Sequence, residues 1–233
     1  MASRVRWLGH SCLYVESDGQ RILMDPFFTG NPAFVSDKAA ASKGVKHIVL
    51  THCHGDRRRH ARHRERERRD GDNELRSRHV ARFEGLQNLN PMNTGGTTDL
   101  GGFTVSLVRA DHSSGEMVDG ASIYLGNPCG AIIKAPGEPT VYHLGDTDIF
   151  SDMALIAEIH QPRIAVVPIG DRFTMGATTA AMAVKRFFKL DAVIPCHYGS
   201  FPIIDATAAK FAGAMRGHAT KVVVPEKGKA IAL

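Results

Sequence analysis

The chain has 233 residues, 43% of them hydrophobic, so it can bury a full core, and we expect residues 1–233 to form a single domain. No apolar stretch is long enough to cross a bilayer, and the first residues lack the hydrophobic core of a signal peptide, which predicts a cytoplasmic protein with no membrane partner. The four cysteines lack C-x-x-C spacing, which argues against a disulfide framework and against a structural zinc site.

The formal net charge of +5 comes from one segment of the chain. Residues 57–82 contain 11 arginines, no lysine and five acidic residues, which gives this segment a net charge of +6. The remaining 18 basic and 19 acidic residues leave a net charge of −1. Outside the segment the composition is that of a nearly neutral globular protein, so the overall charge does not indicate nucleic-acid binding.

The first half of the chain is mainly β. Residues 5–16 and 21–25 are β-rich runs joined by a turn at 17–19, which predicts an opening hairpin. Residues 45–50 are apolar and predict a buried strand. Further strands are predicted at 103–109, 131–134 and 140–144, separated by glycine-rich and Pro-Gly turns.

The second half alternates helices with strands. Ser151-Asp152 predicts the start of a helix that runs to residue 160, where Pro162 stops it. A strand at 164–168, a helix at 178–188, a strand at 192–195, a helix at 206–215 and a strand at 221–224 follow. A β-rich half followed by this alternation predicts an α/β (α+β) protein with two packed sheets and helices outside them, an αββα sandwich.

The run Thr51-His52-Cys53-His54-Gly55-Asp56 follows the strand predicted at 45–50. One bend of backbone there aims two imidazoles and a carboxylate at the same point, and these are the usual ligands of zinc and its first-row neighbours. Two alternating histidines on an ordinary strand are more often surface residues. The Gly-Asp that follows them favours the metal interpretation, and we interpret Cys53 as strand filler.

Three more strand ends carry residues of the same type. His112, Asp146 and His197 each follow a predicted strand. Taken singly, each is about as well explained as a loop residue, a turn former or a neighbour of a helix cap. Four such strand-to-loop junctions together favour one metal centre.

These motifs resemble those of the metallo-β-lactamase superfamily. The detailed matches resemble its branch of small metal-dependent hydrolases, related to the ascorbate-phosphate lactonase-like proteins, and the resemblance covers residues 1–56 and about 83–233. The matching runs are Trp7-Leu8-Gly9-His10-Ser11-Cys12, Asn90-Pro91-Met92-Asn93-Thr94-Gly95-Gly96, His112-Ser113-Ser114-Gly115, Gly145-Asp146-Thr147, and residues 168–176.

The resemblance implies a four-layer αββα sandwich that binds two divalent ions, zinc or else manganese, iron or nickel. It assigns His52, His54 and His112 to one ion, Asp56 and His197 to the second, and Asp146 to both. A metal-bound hydroxide, which Asp56 could orient, then attacks an ester, lactone or phosphoester of a small molecule. Around these ligands it places His10, His143 and Tyr198, which hold ligands, contact the substrate or serve only in packing.

Residue 57 departs from the family pattern. Where the family motif continues Asp-His, this chain has Asp56-Arg57. Arginine keeps its proton at any accessible pH, so it cannot ligate a metal in place of histidine. On this sequence the second metal position is one ligand short.

The arginine-rich segment 57–82 occupies the place of a family helix and buried strand, yet it has no apolar stripe. Three interpretations compete, namely a solvated charged helix, a nucleic-acid-binding arm, or translation in the wrong reading frame. Codons that fit residues 57–60 and 70–76, shifted by one base, spell Val-Gly-Asp-Thr and Thr-Val-Ile-Thr-Asn-Phe. This favours a frame slip entering after Asp56 and leaving near Arg82. If the segment is real, the alternative function is a catalytically impaired or nucleic-acid-associated protein with a basic binding surface.

Peptide mapping and the intact mass of the purified protein test the frame slip. An unpaired guanidinium costs several kcal/mol to bury, so arginines cannot replace a buried strand. We expect longer, hydrophobic tryptic peptides from this region and histidine at position 57. Recovery of Arg-Glu-Arg-Arg-Asp-Gly-Asp, residues 66–72, after limited cleavage would contradict the hypothesis.

Overall fold

Two β-sheets enclose the main hydrophobic core in the computed structural model, which describes residues 4–17, 20–53, 89–118 and 120–232. The predictions for His54, Asp56, Arg57 and the segment 57–82 lie outside the described residues. Within the described residues, no helix is long and apolar enough to cross a membrane.

Within the described residues, the first sheet has five strands in the order β14-β1-β2-β3-β4. They are β1 (Arg4–Gly9), β2 (Cys12–Ser17), β3 (Gln20–Met24), β4 (His47–Val49) and β14 (Ala230–Ala232). Strand β2 shows the two-residue period that a sheet between two layers requires, because Leu13 and Val15 face the main core while Cys12 and Tyr14 join a smaller apolar cluster with Leu23 and Ala41. Ala41 belongs to helix α1 (Lys38–Ser42), which therefore covers the outer face of this sheet.

In the part of the chain that the structure describes, the second sheet has seven strands in the order β13-β12-β11-β10-β9-β6-β5. They are β5 (Thr97–Asp99), β6 (Thr104–Arg109), β9 (Cys129–Lys134), β10 (Val141–His143), β11 (Ile164–Pro168), β12 (Ala192–Cys196) and β13 (Lys221–Val222). Strands β7 (Gly115–Val118) and β8 (Ala121–Tyr124) pair in a separate hairpin.

Helices α2 (Met153–His160), α3 (Ala177–Phe187) and α4 (Ala209–Ala214) connect the later strands. Helix α3 buries Ala177, Ala180, Ala181 and Val184, a three-to-four-residue spacing that places them on one face against the core. Right-handed connections through such helices are what parallel strands require. The predicted α/β class with two sheets and outer helices is confirmed.

Strand direction sets the position of the functional residues. Strands β10, β11, β12 and β13 are parallel, and β6 runs the same way because it is antiparallel to β9, which is antiparallel to β10. The carboxyl ends of β6, β10 and β12 therefore meet at one edge of the sheet. A hydrogen bond from the Cys129 amide to the Thr51 carbonyl, 2.8 Å long, joins this edge to the chain leaving β4.

Two sequence predictions are wrong in their details. Residues 5–16 form two strands rather than one, because Gly9, with φ 105°, and His10, with φ 55°, turn the chain between β1 and β2. The predicted buried strand at 45–50 is the short β4, where Ile48 is 58% exposed, since β4 lies at the edge of its sheet among the described residues. Helix α1 and the hairpin β7–β8 were not predicted.

Truncating Ile132 tests the position of the core. Its side chain is fully buried on β9, on the face of the sheet that it shares with Tyr142 of β10, so Ile132→Ala should lower the free energy of unfolding by about 2–5 kcal/mol. The matched control is Ile159→Ala on α2, where the side chain is 69% exposed, and the expected change is within about 0.5 kcal/mol. Chemical denaturation of both variants measures the difference, and equal effects would contradict this packing.

Candidate metal centre

Asp146 lies at the middle of the candidate site, in the loop that follows β10. Its Oδ2 is 3.2 Å from His52 Nε2 and 3.3 Å from His197 Nε2. The hydroxyl of Ser11 donates a 2.6 Å hydrogen bond to the other oxygen, Oδ1. Asp146 is 3% exposed, so the protein, and not solvent, determines the state of this carboxylate.

Two groups of possible ligands share Asp146. The first consists of His52, His112 and Asp146, and the second of His10, Asp146 and His197. In each group the donor atoms all lie within 4.8 Å of one another. Ligand atoms around a tetrahedral zinc ion are about 3.4 Å apart, because each lies about 2.1 Å from the ion. The two contacts of Asp146 already have this spacing.

The pKa of Asp146 is well below its usual range. Burial raises the pKa of this carboxyl, but His197 and His52 lower it further than burial raises it. Asp146 is therefore an anion at neutral pH, as a carboxylate shared between cations must be. Burial, with Asp146 and Asp25 nearby, raises the pKa of the Cys196 thiol well above its usual value, so this cysteine is neutral at neutral pH.

A buried network lies behind His52. Asp25 is fully buried and accepts hydrogen bonds from the Thr51 amide at 2.9 Å and from the Thr51 hydroxyl at 2.7 Å. Thr51 Oγ1 is also 2.9 Å from His52 Nδ1. Because the hydroxyl proton is given to Asp25, the Thr51 oxygen must accept a proton from Nδ1. This fixes the tautomer of His52 and leaves Nε2 facing Asp146.

That tautomer places a nitrogen lone pair 3.2 Å from a carboxylate oxygen. Two such atoms repel unless a cation lies between them, either a second proton on the imidazole or a metal ion. The same carboxylate oxygen faces His197 at 3.3 Å. The donor set of imidazole nitrogens and carboxylate oxygen is one that zinc, manganese, iron and nickel accept, so the residues present fit a divalent ion.

Unusual backbone conformations occur at three residues of the site. His10, Asp25 and His197 have φ values of 55°, 43° and 59°, in the left-handed region that costs non-glycine residues about 1–3 kcal/mol. The His10 carbonyl accepts hydrogen bonds from the Trp7 ring at 2.7 Å and from the His197 amide at 3.0 Å, which hold two of these turns together. Such strain is typical of functional positions.

The structure brings four sequence-predicted ligands together, namely His52, His112, Asp146 and His197. His10, which was predicted to lie around the ligands, is a member of the second group of possible ligands. His143 Nε2 lies 3.1 Å from Asp25 and belongs to neither group. Tyr198 stacks on Trp7 at 4.8 Å between ring centroids, and burial raises its pKa to about 12, so its place is one of packing.

Sequence reasoning missed Asp25, Thr51 and Ser11 as functional residues. The signal for Asp25 was present, because Met24-Asp25-Pro26 puts a carboxylate directly after a strand, as at Asp146. Thr51 belongs to the same run, residues 51–56, that led to the prediction of His52 as a ligand. Ser11 follows His10 in the first turn, and nothing in its local sequence indicates a partner 135 residues away.

Comparisons with known proteins show which proteins this chain is similar to. A family model described as the β-lactamase superfamily domain matches residues 4–197. The chain is 53% identical to a protein of Azorhizobium caulinodans named UPF0173 metal-dependent hydrolase, over 97% of this chain and 98% of that protein. A protein of the same name from Methylobacterium nodulans is 51% identical over 99% of each chain.

Two solved structures have similar folds. Igni18, described as a novel metallo hydrolase from Ignicoccus hospitalis, is 30% identical with a TM-score of 0.77, covering 100% of this chain and 99% of that chain. The isothiocyanate hydrolase from Delia radicum gut bacteria has a TM-score of 0.75 over 99% of each chain. At 18% identity the second similarity shows the fold alone.

Replacing Gly170 tests how closely the site is packed. A Cβ there would overlap the His197 carbonyl oxygen and lie 2.7 Å from His197 Nδ1. Gly170→Ala should displace His197 and lower metal affinity by about 10–100-fold. Gly213→Ala is the matched control, since a Cβ there meets nothing within 4 Å and alanine favours the α4 helix. Metal titration measures both, and equal affinities would contradict the close packing at Gly170.

Proposed function

We propose that this chain, which belongs to the metallo-β-lactamase superfamily, is a metal-dependent hydrolase of an ester, lactone or phosphoester bond in a small molecule. One observation carries the proposal: the carboxylate of Asp146 faces imidazole nitrogens from two different strand ends, at 3.2 and 3.3 Å. The names of the relatives from Azorhizobium and Methylobacterium support metal-dependent hydrolysis and leave the substrate open.

We assign one ion to His52, His112 and Asp146, and a second to Asp146 and His197. The resemblance of the sequence adds His54 to the first and Asp56 to the second, as proposals that lie outside the described residues. When bound, such ions lower the pKa of water to near neutrality and stabilise negative charge that develops on the substrate. We expect zinc to bind here. The imidazole nitrogens and carboxylate oxygen of the site also suit manganese, iron or nickel.

The residues of this chain do the positioning. Asp25 and Thr51 hold His52 with Nε2 directed at the centre. Ser11 occupies Oδ1 of Asp146 and so keeps Oδ2 for the shared position. These contacts have little access to water, because His52, Asp146 and His197 are themselves almost fully buried. Fixed ligands of this kind are ready before the substrate arrives.

The compartment and partners stay proposals from the sequence. We propose a cytoplasmic enzyme with a small-molecule substrate, and no nucleic-acid partner. The described part of the chain contains Cys12, Cys53, Cys129 and Cys196, and these form no disulfide there, which is compatible with a reducing compartment.

Replacing Asp146 tests the function. Asp146→Asn removes the negative charge that offsets two cations, so metal content and hydrolysis should fall together. Loss of groups that only orient ligands costs about 10–100-fold, so we expect at least about a 100-fold loss of activity. Metal analysis and a screen of an aryl ester, a lactone and a phosphodiester measure both effects.

The control for this experiment is Asp191→Asn. Asp191 pairs with Arg163 on the surface, and we expect neither metal content nor hydrolysis to change. Near-normal hydrolysis by Asp146→Asn with full metal content would refute the shared role of Asp146. A wild-type chain that binds no divalent ion after reconstitution would refute the proposed function.

A further inference from the structure

Packing alone does not explain why a histidine stands at position 10. It lies in the turn between β1 and β2 with φ 55°, directly after Gly9, and it is 7% exposed. A Cβ at Gly9 would lie 2.7 Å from the Ala33 carbonyl oxygen, so the turn is tightly packed. Histidine adopts left-handed backbone more often than most residues, but glycine adopts it without cost. The presence of a histidine in this turn is compatible with a function for the imidazole itself.

The surroundings of His10 fix the orientation of its ring. His10 Nδ1 lies 2.8 Å from the hydroxyl of Ser200, which is also buried. The ring packs edge-on against Phe27, at 5.4 Å, and Phe201, at 5.6 Å between centroids. Metal-binding histidines typically use one ring nitrogen for such a hydrogen bond and the other for the ion. The Ser200 contact therefore gives Nδ1 the hydrogen-bonding role in the proposed arrangement.

His10 also lies against two residues already assigned to the centre. Its ring centroid is 3.9 Å from that of His197, and a donor atom of His10 lies within 4.8 Å of one from Asp146 and one from His197. All three residues are buried. One zinc ion requires its ligand atoms to be about 3.4 Å apart. Small side-chain movements bring the donor atoms of His10, Asp146 and His197 to that spacing.

We propose that His10 is a direct metal ligand that completes the second metal position with Asp146 and His197. The inference rests on the proposed metal-dependent function and extends it to a residue that the resemblance placed outside the ligands. In a chain with Arg57 in place of a ligand histidine, His10 supplies a ligand that the second ion would otherwise lack. It does not depend on that arginine, because all three residues lie in the described part of the chain.

Cobalt binding by the full-length protein tests the proposal. Metal-free wild type, His10→Gln and His160→Gln are titrated with Co²⁺, and bound metal is counted after dialysis. We expect about two ions per chain for the wild type and about one for His10→Gln. His160→Gln is the matched control, because His160 lies at the end of α2 and in neither ligand group, and it should bind as the wild type does.

A second variant keeps the test decisive if His10→Gln does not fold. His10→Cys places a thiolate at the same position, and its cobalt form should show a cobalt–thiolate charge-transfer band that the wild type lacks. The unfolding temperature of each metal-free variant verifies that it folds. A folded His10→Cys without the band, or a His10→Gln that binds as many ions as the wild type, overturns the proposal.

The two proposals fail in different ways. A wild-type chain that binds two ions, with His10→Gln doing the same, removes His10 from the ligands and leaves the hydrolase intact. A wild-type chain that binds one ion also overturns the role of His10 and leaves the first metal position standing. A wild-type chain that binds no cobalt overturns the proposed function itself.

Discussion

A buried negative charge governs this structure. Asp146 is 3% exposed and its pKa is lowered well below its usual range, so the fold must hold an ionised carboxylate almost without solvent. An unpaired buried charge costs several kcal/mol, which is a large part of the stability of a typical domain. His52, His197 and Ser11 converge on it from three separate segments. The sheets place those segments, and the cation chemistry of the site follows from the charge.

Much of this arrangement could be predicted from the sequence, because ligands at the carboxyl ends of strands follow a simple rule. His112, Asp146 and His197 each came after a recognisable strand, and parallel strands present those ends at one edge. Strand β11 was predicted with its observed bounds, because five consecutive apolar residues between turns favour a buried strand. The local sequence pattern was sufficient to predict candidate ligands that lie one to three residues after the end of a strand.

The remainder depends on contacts that local sequence does not encode. Asp25 was missed because aspartate before proline is also an ordinary turn former, and only its pairing with Thr51 and His143 separates the two roles. The turn at His10 was missed because residues 5–16 were interpreted as one strand that continued through this left-handed residue. The exposure of Ile48 was missed because an apolar run looks alike in the middle of a sheet and at its edge.

The hydrogen bond from the His197 amide to the His10 carbonyl joins residues 187 positions apart. During translation at about 5–20 residues per second, the β1–β2 turn must wait roughly 10–40 seconds for its partner to be made. Contacts of such long range close late in folding, since the intervening loop must be ordered first. His10 and His197 therefore come together only after strand β12 has been synthesised. The first turn of the chain takes its final place in the fold after every strand between these two residues has been made.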